Sequence, residues 1–174
     1  MQMQQLPEAL ARTQRSLQLN PRNAEAYFQL ASIHAAAADT MAAIEAYRRV
    51  LELDAAHADA RLNLGVMLAQ QGELAEAEEQ LVEVVRRRGD WPEAHTNLAI
   101  VLGELGKLDE AIGHYESALR LRPDYVRAHY NLANALLRSN QLSAAAEHLR
   151  VAVELDPKFQ EARELLERVE TSLR

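Results

Sequence analysis

The sequence contains no cysteine and few of the residues that interrupt regular structure, with six glycines and five prolines among 174 residues. Without cysteine the chain can have neither a disulfide framework nor a thiolate metal site, and it cannot use a cysteine nucleophile. Aromatic residues account for only 5% of the chain. Alanine, with 31 residues, and leucine, with 27, are abundant instead. Both are strong helix formers, so the composition predicts an all-α protein.

Two further absences limit the classes of partner. Acidic residues outnumber basic ones and give a formal charge of -7, which disfavours nucleic acid because phosphate binding needs a clustered positive field. No run of 18 apolar residues occurs, so no membrane insertion is expected. The first residues also lack the basic flank and apolar stretch of a secretory signal, and a cytoplasmic location is the expectation.

The sequence repeats with a period of 34 residues. Pro123 and Pro157, each closing a Leu-x-Pro segment, lie one period apart. Cutting at this period gives four copies without any insertion: 24–57, 58–91, 92–125 and 126–159. Three columns of equivalent residues are Leu30, Leu64, Leu98 and Leu132; Ala31, Gly65, Ala99 and Ala133; and Tyr47, Leu81, Tyr115 and Leu149. Such regular columns indicate tandem copies of one structural unit.

Each copy contains two helical patterns separated by a break. In the third copy, apolar residues recur at spacings of three and four on both sides of Gly106. Equivalent breaks fall at Gly72 and Asn140, and both residue types accept the left-handed backbone that ends a helix. The first copy has Ala38 at this position, which is expected to cost stability or to force a different turn. Because one helix pair cannot bury both of its faces, successive pairs are expected to stack.

The two ends differ from the four copies. Residues 1–23 contain the pattern of a second helix without a first, so we interpret them as a partial repeat. We expect either that the array begins further upstream or that one copy has degenerated. Residues 160–174 combine an apolar stripe with a charged opposite face, as expected of a polar capping helix. An uncovered stripe at Leu6, Leu10 and Leu17 would favour a homo-oligomer formed through the N-terminal end.

The copies resemble the tetratricopeptide repeat (TPR) family. The fourth copy shows this most closely, with His129-Tyr-Asn-Leu-Ala-Asn-Ala-Leu followed by Leu155-Asp-Pro. The resemblance covers all four copies and implies a right-handed α-solenoid of tandem helix-turn-helix repeats. It also implies that the first helix of each pair lines a concave groove, and that the partners are proteins or peptides.

A column of side-chain amides supplies the first candidate binding residues. Asn63, Asn97 and Asn131 are equivalent inner positions, and Gln29 precedes them in the first copy. An amide can pair with both backbone groups of a peptide, and helices about 10 Å apart would place the amides about three residues apart along an extended strand. The column is similar to the asparagine ladder of O-linked N-acetylglucosamine transferases. The alternative is that asparagine is simply common at this position in the family.

The fourth copy adds four further candidates at inner positions: Arg127, Tyr130, Asn134 and Arg138. Inner positions of the earlier copies carry acidic residues instead: Glu25, Asp59 and Glu93. This distribution predicts an extended ligand whose acidic end lies near the two arginines and whose basic end lies toward the early copies. Scattered solvated charge is the alternative interpretation.

The sequence lacks a catalytic or metal-binding pattern. No two of the six histidines lie three or four residues apart, and neither a His-Glu-x-x-His run nor a Gly-rich phosphate loop occurs. Ordinary packing or surface roles are therefore expected for the histidines. The sequence predicts a non-enzymatic interaction scaffold without cofactor or metal. The alternatives are an accessory arm of a larger enzyme, such as a glycosyltransferase, and a self-assembly module.

Overall fold

The computed structural model describes the backbone of residues 5–173 and the side chains from residue 7 onward. Within this part of the chain there are ten α-helices and no strand, which confirms the predicted all-α class. The helices are α1 Gln5–Leu19, α2 Ala24–Ala36, α3 Thr40–Leu53, α4 Ala58–Gln70, α5 Leu74–Arg87, α6 Pro92–Glu104, α7 Leu108–Leu121, α8 Val126–Arg138, α9 Leu142–Leu155 and α10 Gln160–Ser172. Residues 1–4 of the predicted partial repeat, and residue 174 of the predicted capping segment, lie outside the described residues.

The chain divides into two compact units, Met1–Gln80 and Leu81–Arg174. In the first unit each helix packs against the next, from α1 to α4. In the second unit the same order holds from α6 to α10, and α6 also contacts α8. The pairs α2–α3, α4–α5, α6–α7 and α8–α9 fall within the four predicted 34-residue copies, and we propose that these pairs are the repeats.

The predicted columns of small and large residues form the core of the second unit. Leu98 and Leu132 are each 1% exposed, and Ala99 and Ala133 are completely buried. A methyl group at the two alanines lets neighbouring helix backbones approach closely, while the leucines fill the adjoining grooves. The column pattern therefore identifies the interhelical contacts of this unit.

Leu30 is the exception among the column residues of the first unit. It is half-buried and lies with Tyr27 and His34 at an open cavity of about 600 Å³ between α2 and α3. Ala46 lines the same cavity. The later copies have larger residues at the position of Ala46: Gln80, His114 and His148. The smaller alanine side chain leaves the space beside Leu30 open.

A left-handed residue follows the first helix of each pair, as the breaks in the pattern predict. The backbone angle φ is +80° at Gly72 and +78° at Gly106, and it is +58° at Asn140. Ala38 adopts the same conformation, with φ of +59°. The first copy thus keeps the common turn instead of forming a different one, although a left-handed alanine costs about 1–2 kcal/mol.

Replacing Ala38 by Gly is expected to stabilise the protein by about 0.5–1 kcal/mol. Glycine removes the steric cost at positive φ, and its greater freedom in the unfolded chain offsets part of the gain. The free energy of unfolding can be measured by urea denaturation followed by circular dichroism. Ala37→Gly is the matched control, because Ala37 has a φ of -84° and gains nothing from glycine. A result in which Ala38→Gly is no more stable than Ala37→Gly would contradict the strain at Ala38.

Candidate functional site

The second unit contains a cavity of about 300 Å³ between α6, α7 and α8. It brings together four of the eight predicted binding residues: Arg127, Asn131, Asn134 and Arg138. The remaining lining residues come from α6 and α7, with one alanine of α8: Ile100, Gly103, Glu104, Tyr115 and Ala135. The cavity is therefore the candidate site with the most support from the sequence.

The four predicted residues lie on one face of α8 because they are spaced four, three and four residues apart. The opposite face of α8 holds the helix in the core through buried residues such as Leu132. The two arginines are exposed, and the two asparagines are half-buried. The helix thus presents charged groups at its ends and amides between them.

Arg138 reaches from α8 across to α6. A Cβ atom at Gly103 would lie 3.6 Å from Nη1 of Arg138, an ordinary van der Waals distance, so the guanidinium group lies beside this residue of α6. Two arginines and one glutamate, Glu104, are the charged lining residues, which leaves one excess positive charge at the cavity.

Tyr115 adds a phenol group to the cavity that the sequence analysis missed. Its side chain is 4% exposed, and burial raises its pKa; Glu104 raises the pKa further and Arg138 lowers it. The phenol therefore remains protonated at neutral pH and can donate a hydrogen bond. In the sequence Tyr115 stands out only as a member of a column of equivalent residues, which does not indicate a ligand contact. The useful signal was its spacing of 16 residues before Asn131, which repeats that of Tyr47 before Asn63.

The three asparagines of the predicted column do not have equivalent surroundings. In the first unit, the Nδ2 group of Asn63 donates a hydrogen bond to the Tyr47 hydroxyl at 3.2 Å. Asn97 has Leu81 at the corresponding earlier position, which offers no hydroxyl. Asn97 is half-buried on α6 and is not one of the residues that line the cavity. Asn131 is the column member that the structure places in the cavity.

Gln29 lies in a separate cavity, of about 440 Å³, between α1 and α2 of the first unit. Its Nε2 group donates to the Glu25 carboxylate at 3.3 Å. Phe28 and Ile33 give this cavity an apolar wall, and Arg12 and Glu25 add both signs of charge. The first unit therefore has its own local surface, which differs in chemistry from the arginine-lined cavity.

Tyr130 and Glu93, two other residues at predicted inner positions, contact neighbouring residues of the second unit. The ring of Tyr130, predicted to bind a ligand, packs against Phe159 with 4.9 Å between the ring centroids, and it does not line the cavity. Glu93 accepts a hydrogen bond from Arg122 at 2.6 Å. Burial raises the Glu93 pKa, but the hydrogen bond from Arg122 and those from its own backbone and Trp91 outweigh burial, and the net pKa is lowered. Glu93 therefore remains ionised and already has a cationic partner.

Other chemistry has little support in the described part of the chain. Residues 5–173 contain no group of three or more His, Asp or Glu side chains placed to hold a metal ion. None of the helices described here has both the length and the apolar character needed to cross a membrane.

Comparisons with known proteins concern the repeats. Three models of the tetratricopeptide repeat family match residues 13–45, 56–124 and 96–158. Among curated proteins, the sequence has no significant match. The structure is similar to that of MamA, with 22% identity, a TM-score of 0.82, and coverage of 90% of this chain and 91% of that chain.

Two further solved structures give similar values. The MamA segment 41-end from Desulfovibrio magneticus RS-1 has 23% identity and a TM-score of 0.83, with 88% of this chain and 87% of that chain covered. YrrB, described as a TPR protein with an unusual peptide-binding site, has 22% identity and a TM-score of 0.83, with 94% and 84% covered. At these identities the likeness concerns the fold alone. Together with the helix pairs and their left-handed turns, the matches of the family models establish that this chain belongs to the tetratricopeptide repeat family.

Proposed function

We propose that the protein is a non-enzymatic interaction module, and that its second unit binds an extended peptide segment with an acidic group in the arginine-lined cavity. The observation that carries the proposal is the convergence of Arg127, Asn131, Asn134 and Arg138 on one cavity of about 300 Å³. This volume is at the lower end for a ligand site and suits one side chain with its adjoining backbone.

The amides account for recognition of a peptide backbone. The Nδ2 group of Asn134 donates to the Tyr130 carbonyl at 3.0 Å within α8, which directs the amide oxygen away from that carbonyl. An oxygen in this position can accept a hydrogen bond from a peptide N–H. Asn131 supplies a second amide one helical turn earlier, so both peptide N–H and C=O groups have partners.

The charges account for the preference for an acidic group. A carboxylate can accept two parallel hydrogen bonds from one guanidinium group, and two arginines border this cavity. Glu104 opposes one of the two positive charges, so the cavity favours a monoanion over a dianion. Tyr115 provides a neutral donor at the same place. YrrB, whose description includes a peptide-binding site, supports the class of ligand but not these residues.

The self-assembly alternative depends on the stripe of α1. Leu10 and Leu17 are half-buried in the first unit, and the side chain of Leu6 lies outside the described residues. This stripe offers no arrangement of polar groups comparable to the cavity of the second unit. A peptide-binding module is therefore the function that we propose.

Selection from a random peptide library, followed by measurement of the dissociation constant Kd, tests this function. For a selected acidic peptide, replacing Asn131 and Asn134 together by Ala is expected to raise Kd about tenfold, because two hydrogen bonds of about 0.5–1.5 kcal/mol each are lost. The melting temperature is expected to be unchanged or slightly higher, since alanine is the better helix former. Ser143→Ala, at an exposed position of α9, is the control.

Asn97→Ala separates the cavity from the predicted asparagine column. A rise in Kd on this substitution would support the longer column, whereas unchanged binding would limit recognition to the cavity. The proposed function is wrong if no library peptide binds, or if the Asn131/Asn134 variant binds the selected peptide as tightly as the original protein.

A further inference from the structure

Two histidine pairs join the helices of the second unit. The Nδ1 atoms of His95 on α6 and His114 on α7 are 3.0 Å apart. The Nδ1 atoms of His129 on α8 and His148 on α9 are also 3.0 Å apart. The ring centroids are 5.3 Å apart in both pairs, with interplanar angles of 37° and 35°. The same arrangement therefore occurs in two successive helix pairs.

The other ring nitrogen of each first-helix histidine bonds to the turn that precedes its helix. Nε2 of His95 lies 3.1 Å from the carbonyl oxygen of Gly89, and Nε2 of His129 lies 2.9 Å from that of Pro123. A carbonyl oxygen only accepts, so Nε2 must carry the hydrogen in both rings. In the neutral state, Nδ1 of His95 and of His129 then accepts from the Nδ1–H of its partner.

The first unit makes the same connections without histidine. Arg61 donates to the Gln80 side-chain oxygen at 2.7 Å and to the Ala55 carbonyl at 2.9 Å. The spacings of 19 and 6 residues are those of the histidine pairs. Arginine does not lose its charge in the physiological range, and glutamine does not titrate. The fold therefore accepts a connection here that is independent of pH, and the second unit has a titratable one.

We propose that the His95–His114 and His129–His148 pairs are acid-sensitive latches, which hold the second unit together when neutral and release it when they take up protons. The unit is then destabilised selectively on mild acidification. This regulation acts on the turn before α8, the helix that carries the arginine-lined cavity. Its effect on ligand release rests on the proposed function, whereas the loss of stability does not.

The geometry leaves no favourable place for an added proton. A proton on Nδ1 of His95 would set two N–H groups against each other across 3.0 Å. A proton on Nε2 of His114 would preserve the hydrogen bonds but place a cation against a ring that is only 8% exposed. The His129–His148 pair has the same constraints, since His129 is 7% exposed.

The surrounding charges oppose this effect only in part. Burial lowers the pKa of His114 and the adjacent His95 lowers it further, whereas Glu110 of α7 raises it.

Burial and His129 likewise lower the pKa of His148, against Glu147 of α9 and Glu116 of α7. On α10, the Glu170 carboxylate is paired with Arg150 of α9 at 2.8 Å. Both pKa values remain below the ordinary imidazole value of about 6.5.

The direction of the pH dependence follows from these lowered pKa values. Below about pH 6.5, His114 and His148 bind protons in the unfolded chain that they do not bind in the folded protein, so the free energy of unfolding decreases as the pH falls. The contribution is complete above pH 6.5 and is lost as the pH passes through the lowered values of the folded state. Carboxylates such as Glu93, whose pKa is also lowered, lose their contribution only in a more acidic range.

The experiment replaces both histidine pairs with arginine and glutamine, the residue types that make this connection in the first unit. The variant carries His95→Arg, His114→Gln, His129→Arg and His148→Gln. Urea unfolding is followed through Trp91, the only tryptophan of the chain. Trp91 reports on the second unit because it lies two residues after Gly89, with the guanidinium carbon of Arg88 4.4 Å from its ring centroid.

Between pH 7.5 and 5.0, the folded-to-unfolded ratio of the original protein is expected to fall about tenfold more than that of the four-residue variant, a difference of about 1.4 kcal/mol. Variants with a single replaced pair are expected to lose about half of the difference on a logarithmic scale. If the free energy of unfolding depends on pH equally in the original protein and in the folded variant, the proposal is overturned. Working at low protein concentration is necessary, because the isoelectric point is about 5.4.

A second measurement covers the case in which the variant does not fold. Imidazole carbon shifts of His114 and His148 in the original protein are expected to show protonation only below the ordinary imidazole range, together with loss of the native signals. Ordinary titration of His114 and His148 within an intact fold would also overturn the proposal. Measurement of Kd for a library-selected peptide at pH 7.5 tests the proposed function alone, and the same measurement at pH 5.0 tests its coupling to the latches.

Discussion

Leu132→Ala is expected to lower the free energy of unfolding of the second unit by about 3 kcal/mol, within the range for buried leucines. Leu132 is 1% exposed and lies on the face of α8 opposite the cavity. Shortening it removes three carbon atoms from the packed interior. Because α8 is held between α7 and α9, its backbone cannot easily move to close the resulting space.

Urea unfolding monitored through Trp91 gives this loss for the unit concerned. Leu121→Ala is the matched control, since Leu121 ends α7 and is 44% exposed. It is expected to change stability by less than about 1 kcal/mol. A similar loss in both variants would show that α8 is not packed as the structure indicates.

The 34-residue period contained most of the information needed for the helix pairs. A buried position must be apolar in every copy, so the columns at Leu98 and Leu132 identify core residues without any knowledge of the fold. A left-handed turn restricts the residue type equally strongly, which explains the agreement at Gly72 and Gly106. At Ala38 the residue type did not predict the turn. This copy forms the same left-handed turn as the others, although alanine disfavours that conformation.

The site was predicted less completely because columns compare equivalent positions in different copies, whereas contacts join different positions. His95 was compared with His129, and the neighbour that it touches, His114, lies 19 residues away in the same copy. The column that contains Tyr115 gave no indication that this residue lines the cavity. Tyr130 was placed on the inner surface, where Phe159 covers part of its ring. These relations depend on how two helices pack, and a one-dimensional pattern contains little information on that.

Replacing Arg127 and Arg138 together by Glu is expected to weaken binding of an acidic library-selected peptide on the order of 50-fold, or about 2.3 kcal/mol. Two attractive interactions are lost and two repulsive ones appear beside Glu104, in a cavity where partial burial limits screening by water and salt. A peptide with Lys in place of its acidic residue is expected to bind the variant better than it binds the original protein, because the sign of the cavity is reversed. Circular dichroism at neutral pH verifies that the variant folds, which is expected because both arginines are exposed.

Two controls distinguish a local interaction with Arg127 and Arg138 from an effect of the overall charge of the protein. They are the salt dependence of Kd and a charge reversal outside the cavity. Arg120→Glu alters an exposed arginine of α7 that bonds Ser117 and does not line the cavity. It shifts the net charge by two units, half of the change made by the double variant, and is expected to alter Kd less than threefold because water and salt screen an exposed charge that does not line the cavity. Raising the salt concentration should weaken the original complex and strengthen that of the double variant, because screening reduces attraction in the first and repulsion in the second. If Arg120→Glu weakens binding as much as the double variant, or if the Lys peptide gains nothing, then recognition comes from the overall charge of the protein, and the two arginines do not form a specific site for an acidic group.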